Sequence, residues 1–429
     1  MSHSLQQANW RLADWLVYLE QQHHKEIDMS LERINLVVNA LCADKPAKTV
    51  ITVAGTNGKG STVRYMEQIL LACGHRVASY SSPHFIDYKE RVRINGQELT
   101  DAEHCLAFQA VEQARGDTSL TYFEFGTLAA FWLMAQHQLD YAVLEIGLGG
   151  RLDAVNIIEP DVSIVTSVGI DHVEFLGNDR EQIGFEKAGV YRAGKVAICG
   201  DPEPPQRLLA HAHSLQADLR CVNRDYTFKI NAGDWQFESR DWQLSNLPFP
   251  HLPLVNAATA LAALGALPQQ PDLASVRSGL LTASLPGRMQ VLSQQPLVLL
   301  DVAHNPHAAQ YLAAQLQQRW PQRRVRAVVG MLKDKDISAT LKCLHEQVNA
   351  WYCATTPGSR GSAGTQLAQH LHSAQQADDC PASLAQASVY AYPDIAQAFK
   401  TARMDAEAGD IVLCFGSFLT IQAILQLEG

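Results

Sequence analysis

The sequence has nine cysteines but no C-x-x-C pair and no His/Cys cluster at zinc-finger spacing. That argues against a zinc-finger site, and scattered thiols in odd number fit a reduced, cytosolic protein better than a disulfide framework. Basic residues are also in short supply. Lys and Arg total 34 against 44 Asp and Glu, a formal charge of −10, which argues against non-specific nucleic-acid binding through a basic surface. Any anionic ligand must therefore meet a local basic cluster. Long hydrophobic runs are missing too: the longest, Val255 to Leu267, is alanine-rich and too short to span a bilayer, so it reads as a buried helix. Asn9, Arg11, Asp14 and Glu20 leave no apolar core for a signal peptide. Nor does any G-x-G-x-x-G follow a strand in the last third of the chain, so no dinucleotide site is indicated there.

What is present is ordinary globular composition, long enough for two or three domains. Strand-like runs at Lys48 to Ala54, Arg76 to Ser81, Tyr141 to Ile146, Asp161 to Ser167 and Val196 to Cys199 alternate with helical patterns. This predicts an α/β fold with a mainly parallel sheet covered on both faces, whose ligands collect at the carboxyl ends of the strands. Aromatic and polar alternation between Asp225 and Leu247 predicts a β-rich insertion of antiparallel hairpins. Leu285-Pro286-Gly287-Arg288 breaks the pattern, and a second alternation runs from Leu297 to the final helix. The expected domains are 1–285 and a smaller Rossmann-like α/β domain, 286–429.

The most informative segment is Val53-Ala54-Gly55-Thr56-Asn57-Gly58-Lys59-Gly60-Ser61. A strand ends in a glycine-rich turn with one lysine and leads into a helix, read from Thr62 to Cys73. Backbone N–H groups, the helix N-terminus and Lys59 together suit phosphate. The P-loop match is imperfect, with Val53 at the first glycine position and Gly60 at the hydroxyl position, so Mg²⁺ needs another hydroxyl.

Glu145 ends an apolar strand before Gly147-Leu148-Gly149-Gly150 and is placed either to hold Mg²⁺ or to act as a cap or ion-pair partner. Asp171 and His172 follow the next strand in the same way. Lys187, judged on its residues alone, reads as a solvated lysine near a helix end. Ser81-Ser82-Pro83-His84 precedes the charged run Lys89-Glu90-Arg91-Val92-Arg93, either a solvated strand face or the local positive charge an anionic substrate requires. Asp301, His304 and Asn305 follow a strand into a helix started by Pro306, as helix caps or as one wall of an interdomain site.

In this order, the strings A-G-T-N-G-K-G-S (54–61), S-S-P-H (81–84), E-R-V-R (90–93), T-Y-F-E (121–124) and L-E-I-G-L-G-G-R-L-D-A (144–154) resemble the folylpolyglutamate synthase/dihydrofolate synthase family. So do D-H (171–172), E-K-A-G (186–189), N-A-A-T-A-L (256–261), L-P-G-R (285–288) and D-V-A-H-N-P (301–306). The family lies within the Mur-ligase-like ATP-dependent amide ligases, and bacterial bifunctional members match best.

The resemblance implies that Thr56, Asn57, Gly58, Lys59, Gly60 and Ser61 surround the ATP phosphates, with Asn256, Arg288 and Asp301 as further nucleotide contacts. It implies Ser82, Glu145 and His172 as ligands of two Mg²⁺ ions, a monovalent cation as a further candidate, and Lys187 as a lysine carbamylated on Nζ. Lys59, Lys187 and His304 become the catalytic candidates. Thr121, Tyr122, Phe123 and Glu124, with Leu152, Asp153 and Ala154, match the pterin site, and Ile27 to Arg33 resembles a substrate-side stretch.

The implied reaction phosphorylates a carboxylate of dihydropteroate or tetrahydrofolate with ATP, then transfers the acyl group to the amine of L-glutamate. A cytoplasmic monomer with small-molecule partners only, neither nucleic acid nor membrane, is expected. Two rivals are a cell-wall muramyl-peptide ligase and a P-loop switch. The first needs a further nucleotide-sugar domain, for which about fifty residues ahead of the phosphate turn are too few. The second needs an N-K-x-D element, where the chain has only Lys333-Asp334-Lys335-Asp336.

Overall fold

A computed structural model describes residues 9–23 and 28–428; Ile27, the first residue of the candidate substrate-side stretch, lies outside the described residues. The chain divides into two units, Met1–Ser284 and Leu285–Gly429.

The first unit is built on eight strands: β1 (Thr49–Ala54), β2 (Val77–Tyr80), β3 (Val92–Ile94), β4 (Gln97–Glu98), β5 (Tyr141–Glu145), β6 (Val162–Val165), β7 (Val196–Cys199) and β8 (Asp218–Cys221). Their order is β4-β3-β2-β5-β1-β6-β7-β8. All pairs from β2 to β8 are parallel, and only the β2-β3-β4 edge is antiparallel. The β-branched run of β1 is buried almost throughout, as expected for a central strand covered on both faces. From β1 the chain moves out to β2 on one side and later returns to β6 on the other, which makes the carboxyl end of β1 a topological switch point. Register places Val53 beside Glu145 and Ala54 beside Val165, so three sequence-distant strand ends meet there.

The hairpin region forms a separate antiparallel sheet, β9 (Tyr226–Ile230), β10 (Trp235–Ser239) and β11 (Gln243–Leu247), ordered β11-β10-β9. Period-two alternation buries Tyr226, Trp235 and Phe237 on one face. The Tyr226 hydroxyl joins this sheet to the Cys199 carbonyl (3.1 Å) and to Thr259 (3.2 Å) on the buried helix Leu254–Leu264.

The second unit has β12 (Gln290–Gln294), β13 (Leu297–Leu300), β14 (Val325–Val329), β15 (Val348–Ala354), β16 (Ser388–Tyr392) and β17 (Ile411–Phe415), ordered β12-β13-β17-β14-β15-β16. All but β12 run parallel. The sequence reading missed β12 and β16. Both are edge strands with many exposed positions, so neither carries the continuous apolar run that marks a buried strand.

One helix start needs explaining because it bears on function. Tyr122–Ala135 opens with a capping box: the Glu124 carboxylate accepts from the Thr121 amide (2.7 Å) and Thr121 Oγ1 accepts from the Glu124 amide (3.2 Å). Glu124 also pairs with Arg33 at 2.9 Å, tying the residues after Ile27 to this helix. Thr121→Ala is expected to cost about 1 kcal/mol of stability. A denaturant-unfolding midpoint unchanged from wild type would show that the cap carries no weight.

Candidate functional site

The phosphate turn is held from outside itself. The Thr56 amide donates to the Ser167 carbonyl (2.8 Å), the Asn57 amide to Ser167 Oγ (3.1 Å), and Thr166 Oγ1 to the Asn57 carbonyl (2.6 Å). Thr56 Oγ1 donates to the Gly169 carbonyl (3.0 Å) and accepts from the Gly169 amide (2.9 Å). The turn is thereby locked to the segment after β6, its neighbour in the sheet.

Gly58 has φ +88 and caps the helix Lys59–Ala72, which therefore starts three residues earlier than the spacing predicted. Lys59 is thus a first-turn residue, and its ammonium donates to the Gly55 (2.9 Å) and Thr56 (3.3 Å) carbonyls. Gly60 follows half-buried, and Ser61 is buried. A Cβ at Gly58 would stand 2.4 Å from Asn256 Oδ1. Asn256 is therefore seated against the turn, although far from it in sequence.

A cleft of about 280 Å³ opens beside the turn, and Lys59, Asp171, His172, Lys187 and the Gly147–Gly149 backbone reach it. His172 has φ +51 at the start of the one-turn helix Val173–Leu176, and its amide donates to the Asp171 carboxylate at 2.8 Å. Glu145 ends β5 directly before this backbone and is buried. Ser82 lies two residues beyond β2, whose Tyr80 is in register with Leu144. The strand ends thus carry Ser82 and Glu145 on neighbouring strands.

Lys187 overturns its residue-only reading, because it is buried in the helix Arg180–Ala188 rather than solvated. Burial, and next the positive charge of Lys59, push its ammonium down to about 7 against the pull of Asp171 and Asp153. Its backbone is cradled by Gly150, where a Cβ would come 2.9 Å from the Lys187 carbonyl. The adjacent Arg151–Glu186 pair (3.0 Å) holds the same turn.

Among the described residues no three His, Cys, Asp or Glu side chains gather as a ready metal cage. A carboxylate, an imidazole and a hydroxyl around a phosphate turn nevertheless fit Mg²⁺, which takes few protein ligands and completes its shell with phosphate oxygens and water.

The pterin candidates split. Thr121 and Glu124 are buried and engaged in the capping box. The tip of the Phe123 ring meets the cleft backbone, where a Cβ at Gly147 would stand 2.4 Å from its Cζ, and Tyr122 is half-buried beside it. Asp153 accepts from the amides of Leu148 (2.8 Å) and Val155 (2.9 Å), and burial lifts its carboxyl to about 6. Leu152 is half-buried and Ala154 buried on either side of it.

In the second unit the Asp301 carboxylate accepts from the Met289 (2.9 Å) and Ala303 (2.8 Å) amides; burial raises its pKa, opposed by the charge of Arg288. Arg288 lies over the Phe418 ring at 5.6 Å. Asn305, not Asp301, caps the helix Pro306–Arg319. The Val302 carbonyl faces His304 Nδ1 at 2.9 Å, which fixes the ring proton on Nδ1.

The charged run after His84 is not a freely solvated strand face. Lys89 pairs with Asp87 (3.1 Å) and Asp101 (3.0 Å), and Arg93 with Glu98 (2.9 Å). Arg91 is buried. Sequence reasoning also missed the tethering by Thr166 and Gly169, and the only available signal was that the segment follows a strand end.

A glycine-rich phosphate turn at the switch point of a parallel sheet, followed by a second α/β unit, defines a ligase of the Mur type. The Mur ligase middle domain model matches residues 53–202 and the Mur ligase glutamate ligase domain model residues 287–418. The Escherichia coli dihydrofolate synthase/folylpolyglutamate synthase is 48% identical over 98% of this chain and 96% of its own length. The structure of E. coli FolC in complex with DHPP and ADP covers 98% of each chain at 47% identity with a TM-score of 0.93. A bifunctional folylpolyglutamate synthase/dihydrofolate synthase with Mn, AMPPNP and L-glutamate bound does so at 49% identity with a TM-score of 0.89. The chain belongs to the dihydrofolate synthase/folylpolyglutamate synthase family of ATP-dependent glutamate ligases. Among the described residues no helix is long and apolar enough to cross a membrane.

Proposed function

We propose that the chain joins L-glutamate to dihydropteroate, giving dihydrofolate, and to tetrahydrofolates, giving polyglutamates, each through an acyl phosphate. The observation that carries this reading is the cleft where Lys59 of the phosphate turn meets Asp171, His172 and Lys187. ATP phosphates lie along the amides of 56–61, with Lys59 moving from the Gly55 and Thr56 carbonyls onto phosphate oxygen. Asn256 supports the nucleotide from the side of Gly58. Arg288 and Asp301 are the second unit's nucleotide contacts, and His304 serves the glutamate side.

An acceptor carboxylate oxygen attacks the γ-phosphorus and ADP leaves. The glutamate amine then attacks the acyl carbon, loses a proton and expels phosphate. Ser82, Glu145 and His172 would hold Mg²⁺, which when bound neutralises charge between phosphates. Phe123 offers a ring to the pterin and Asp153 a buried carboxyl to its edge, with Tyr122, Leu152 and Ala154 around them.

Neutral Lys187 adds CO₂, forming an N–C bond and releasing a proton, and becomes an acid able to share Mg²⁺. The low pKa of this buried amine supports that step. A monovalent-cation requirement, a monomeric state and a cytoplasmic location belong to the same reading.

Phosphate release from MgATP and L-glutamate, run with each acceptor and followed by mass spectrometry, tests it. Glutamate added to both acceptors is expected. Addition to tetrahydrofolate alone would reduce the chain to a folylpolyglutamate synthase.

Gly147→Ala is a sharper probe of the acceptor wall. Its methyl would displace the Phe123 ring, and the expected result is a rise of about tenfold or more in acceptor KM with the ATP KM unmoved. Equal KM values for wild type and variant would remove Phe123 from the acceptor site.

A further inference from the structure

We infer that Asp201 and Arg180 are positioning residues for the metal ligand His172, acting through the backbone of Val168 and Gly169. This rests on the proposed reading of His172 as a Mg²⁺ ligand. Neither residue lines the cleft; their effect passes through the segment that does.

The segment from Val168 to His172 has left the sheet beyond the end of β6, so its backbone groups need partners from elsewhere. Both groups of Val168 find them in one ion pair. Its amide donates to Asp201 Oδ2 (2.6 Å), and its carbonyl accepts from Arg180 Nε (2.9 Å). Arg180 Nη2 in turn donates to Asp201 Oδ1 (2.8 Å), which closes the ring. Both groups of the next residue, Gly169, are held by Thr56 Oγ1 of the phosphate turn (3.0 and 2.9 Å). Four hydrogen bonds to two consecutive residues thus fix where the chain points as it reaches Asp171 and His172.

The clamp has its own footing. Asp201 lies two residues beyond the end of β7, the sheet neighbour of β6, and is 3% exposed. Its Oδ1 also accepts from the Glu203 amide (2.9 Å), and Arg180 Nη2 donates to the Glu203 carbonyl (2.7 Å). Both carboxylate oxygens are spent inside the protein, which makes Asp201 a holder of backbone and not a ligand of metal. Arg180 also opens the helix Arg180–Ala188, whose Lys187 lines the cleft with Asp171 and His172. One ion pair therefore sets two parts of the cleft against the end of β7.

An ion pair with a buried partner adds little net stability, because desolvation offsets most of its attraction. Its worth here is geometric, and groups that orient a metal ligand typically carry about 10–100-fold of a site's affinity.

Asp201→Ala tests this, together with Arg180→Met, whose side chain is 39% exposed and easier to replace. The probe is calorimetric titration with AMPPNP, once with Mn²⁺ and once metal-free in EDTA. Wild type is expected to bind the Mn²⁺ complex more tightly, and each variant to lose about tenfold or more of that advantage. Metal-free AMPPNP should bind within about twofold of wild type, since the phosphate turn keeps its bonds to Thr166 and Ser167. The Mg²⁺ concentration for half-maximal turnover should rise in step, with acceptor KM unmoved and kcat recovered at high Mg²⁺. Asp201→Asn, which keeps an oxygen for the Val168 amide, should recover part of the affinity.

Equal losses for the Mn²⁺ complex and for metal-free AMPPNP would make the pair a structural device and overturn the inference. So would a lowered thermal midpoint with the Mn²⁺ advantage intact. His172→Ala separates the two levels of the argument. If it alone narrows the advantage, the ligand reading stands and the clamp falls; if it leaves the advantage unchanged, the ligand reading falls and this inference with it.

Discussion

Lys59→Met is expected to lower kcat on the order of 10²–10³-fold, with acceptor KM little changed. The side chain starts the helix after the phosphate turn and now points its ammonium at the Gly55 and Thr56 carbonyls, 2.9 and 3.3 Å away. Both bonds lie within the turn, so the charge is stored where a phosphate arrives and needs only a small swing to reach it. Methionine keeps the length and the packing but none of the charge. Because phosphoryl transfer asks the protein for positioning and charge neutralisation more than for covalent chemistry, the loss should appear in kcat.

The variant should also move the behaviour of Lys187. Lys59 is the second cause, after burial, of the low pKa of that lysine, so removing its charge shifts the pH dependence of Lys187 upward. ADP release under saturating substrates measures the first effect and a pH–rate profile the second. A loss of less than about tenfold would show that the backbone amides hold phosphate without the lysine.

Lys187→Ala should be comparably severe, on the order of 10²–10³-fold in kcat. Wild type should lose activity when CO₂ is stripped under mildly acidic conditions and regain it with bicarbonate. The sign follows from the pKa of about 7. Above that value the amine is neutral and can add CO₂; below it, protonation withdraws the nucleophile and drives the carbamate apart.

The same shift affects stability. The folded, unmodified chain binds fewer protons at this site than the unfolded chain between about pH 7 and the ordinary lysine range, so the burial penalty is full below about 7 and falls away as pH rises. ¹³C-labelled bicarbonate should give a carbamate carbon signal in wild type that is missing from Lys187→Ala. No such signal, together with activity indifferent to bicarbonate, would leave Lys187 a buried amine that repels Lys59 and nothing more.

Lys187 also shows where a sequence reading stops. Its neighbours, Gly184-Phe185-Glu186 and Ala188-Gly189, describe a helix end, and a lysine at a helix end is favoured in water by the helix dipole. Burial came from elsewhere, through the Gly150–Arg151 turn that closes over it. Thr121 and Glu124 show a local pattern with a second use: in a string read for ligand binding, the three-residue spacing of Thr and Glu also makes a capping box.

Local pattern was sufficient for the strand-turn-helix at 49–72, the parallel sheet around it, the antiparallel insertion and the second α/β unit, because each rests on hydrophobic periodicity and glycine placement within a few residues. The edge strands β4, β8, β12 and β16 escaped because an edge is half in water and has little pattern to display. The strand order β5-β1-β6, which sets Glu145, the phosphate turn and Ser167 side by side, and the seating of Asn256 on Gly58 came from folding alone. So did the burial of Lys187. Which side chain is desolvated, and which charge faces it, is settled by segments tens to hundreds of residues away, and no spacing along the chain encodes that.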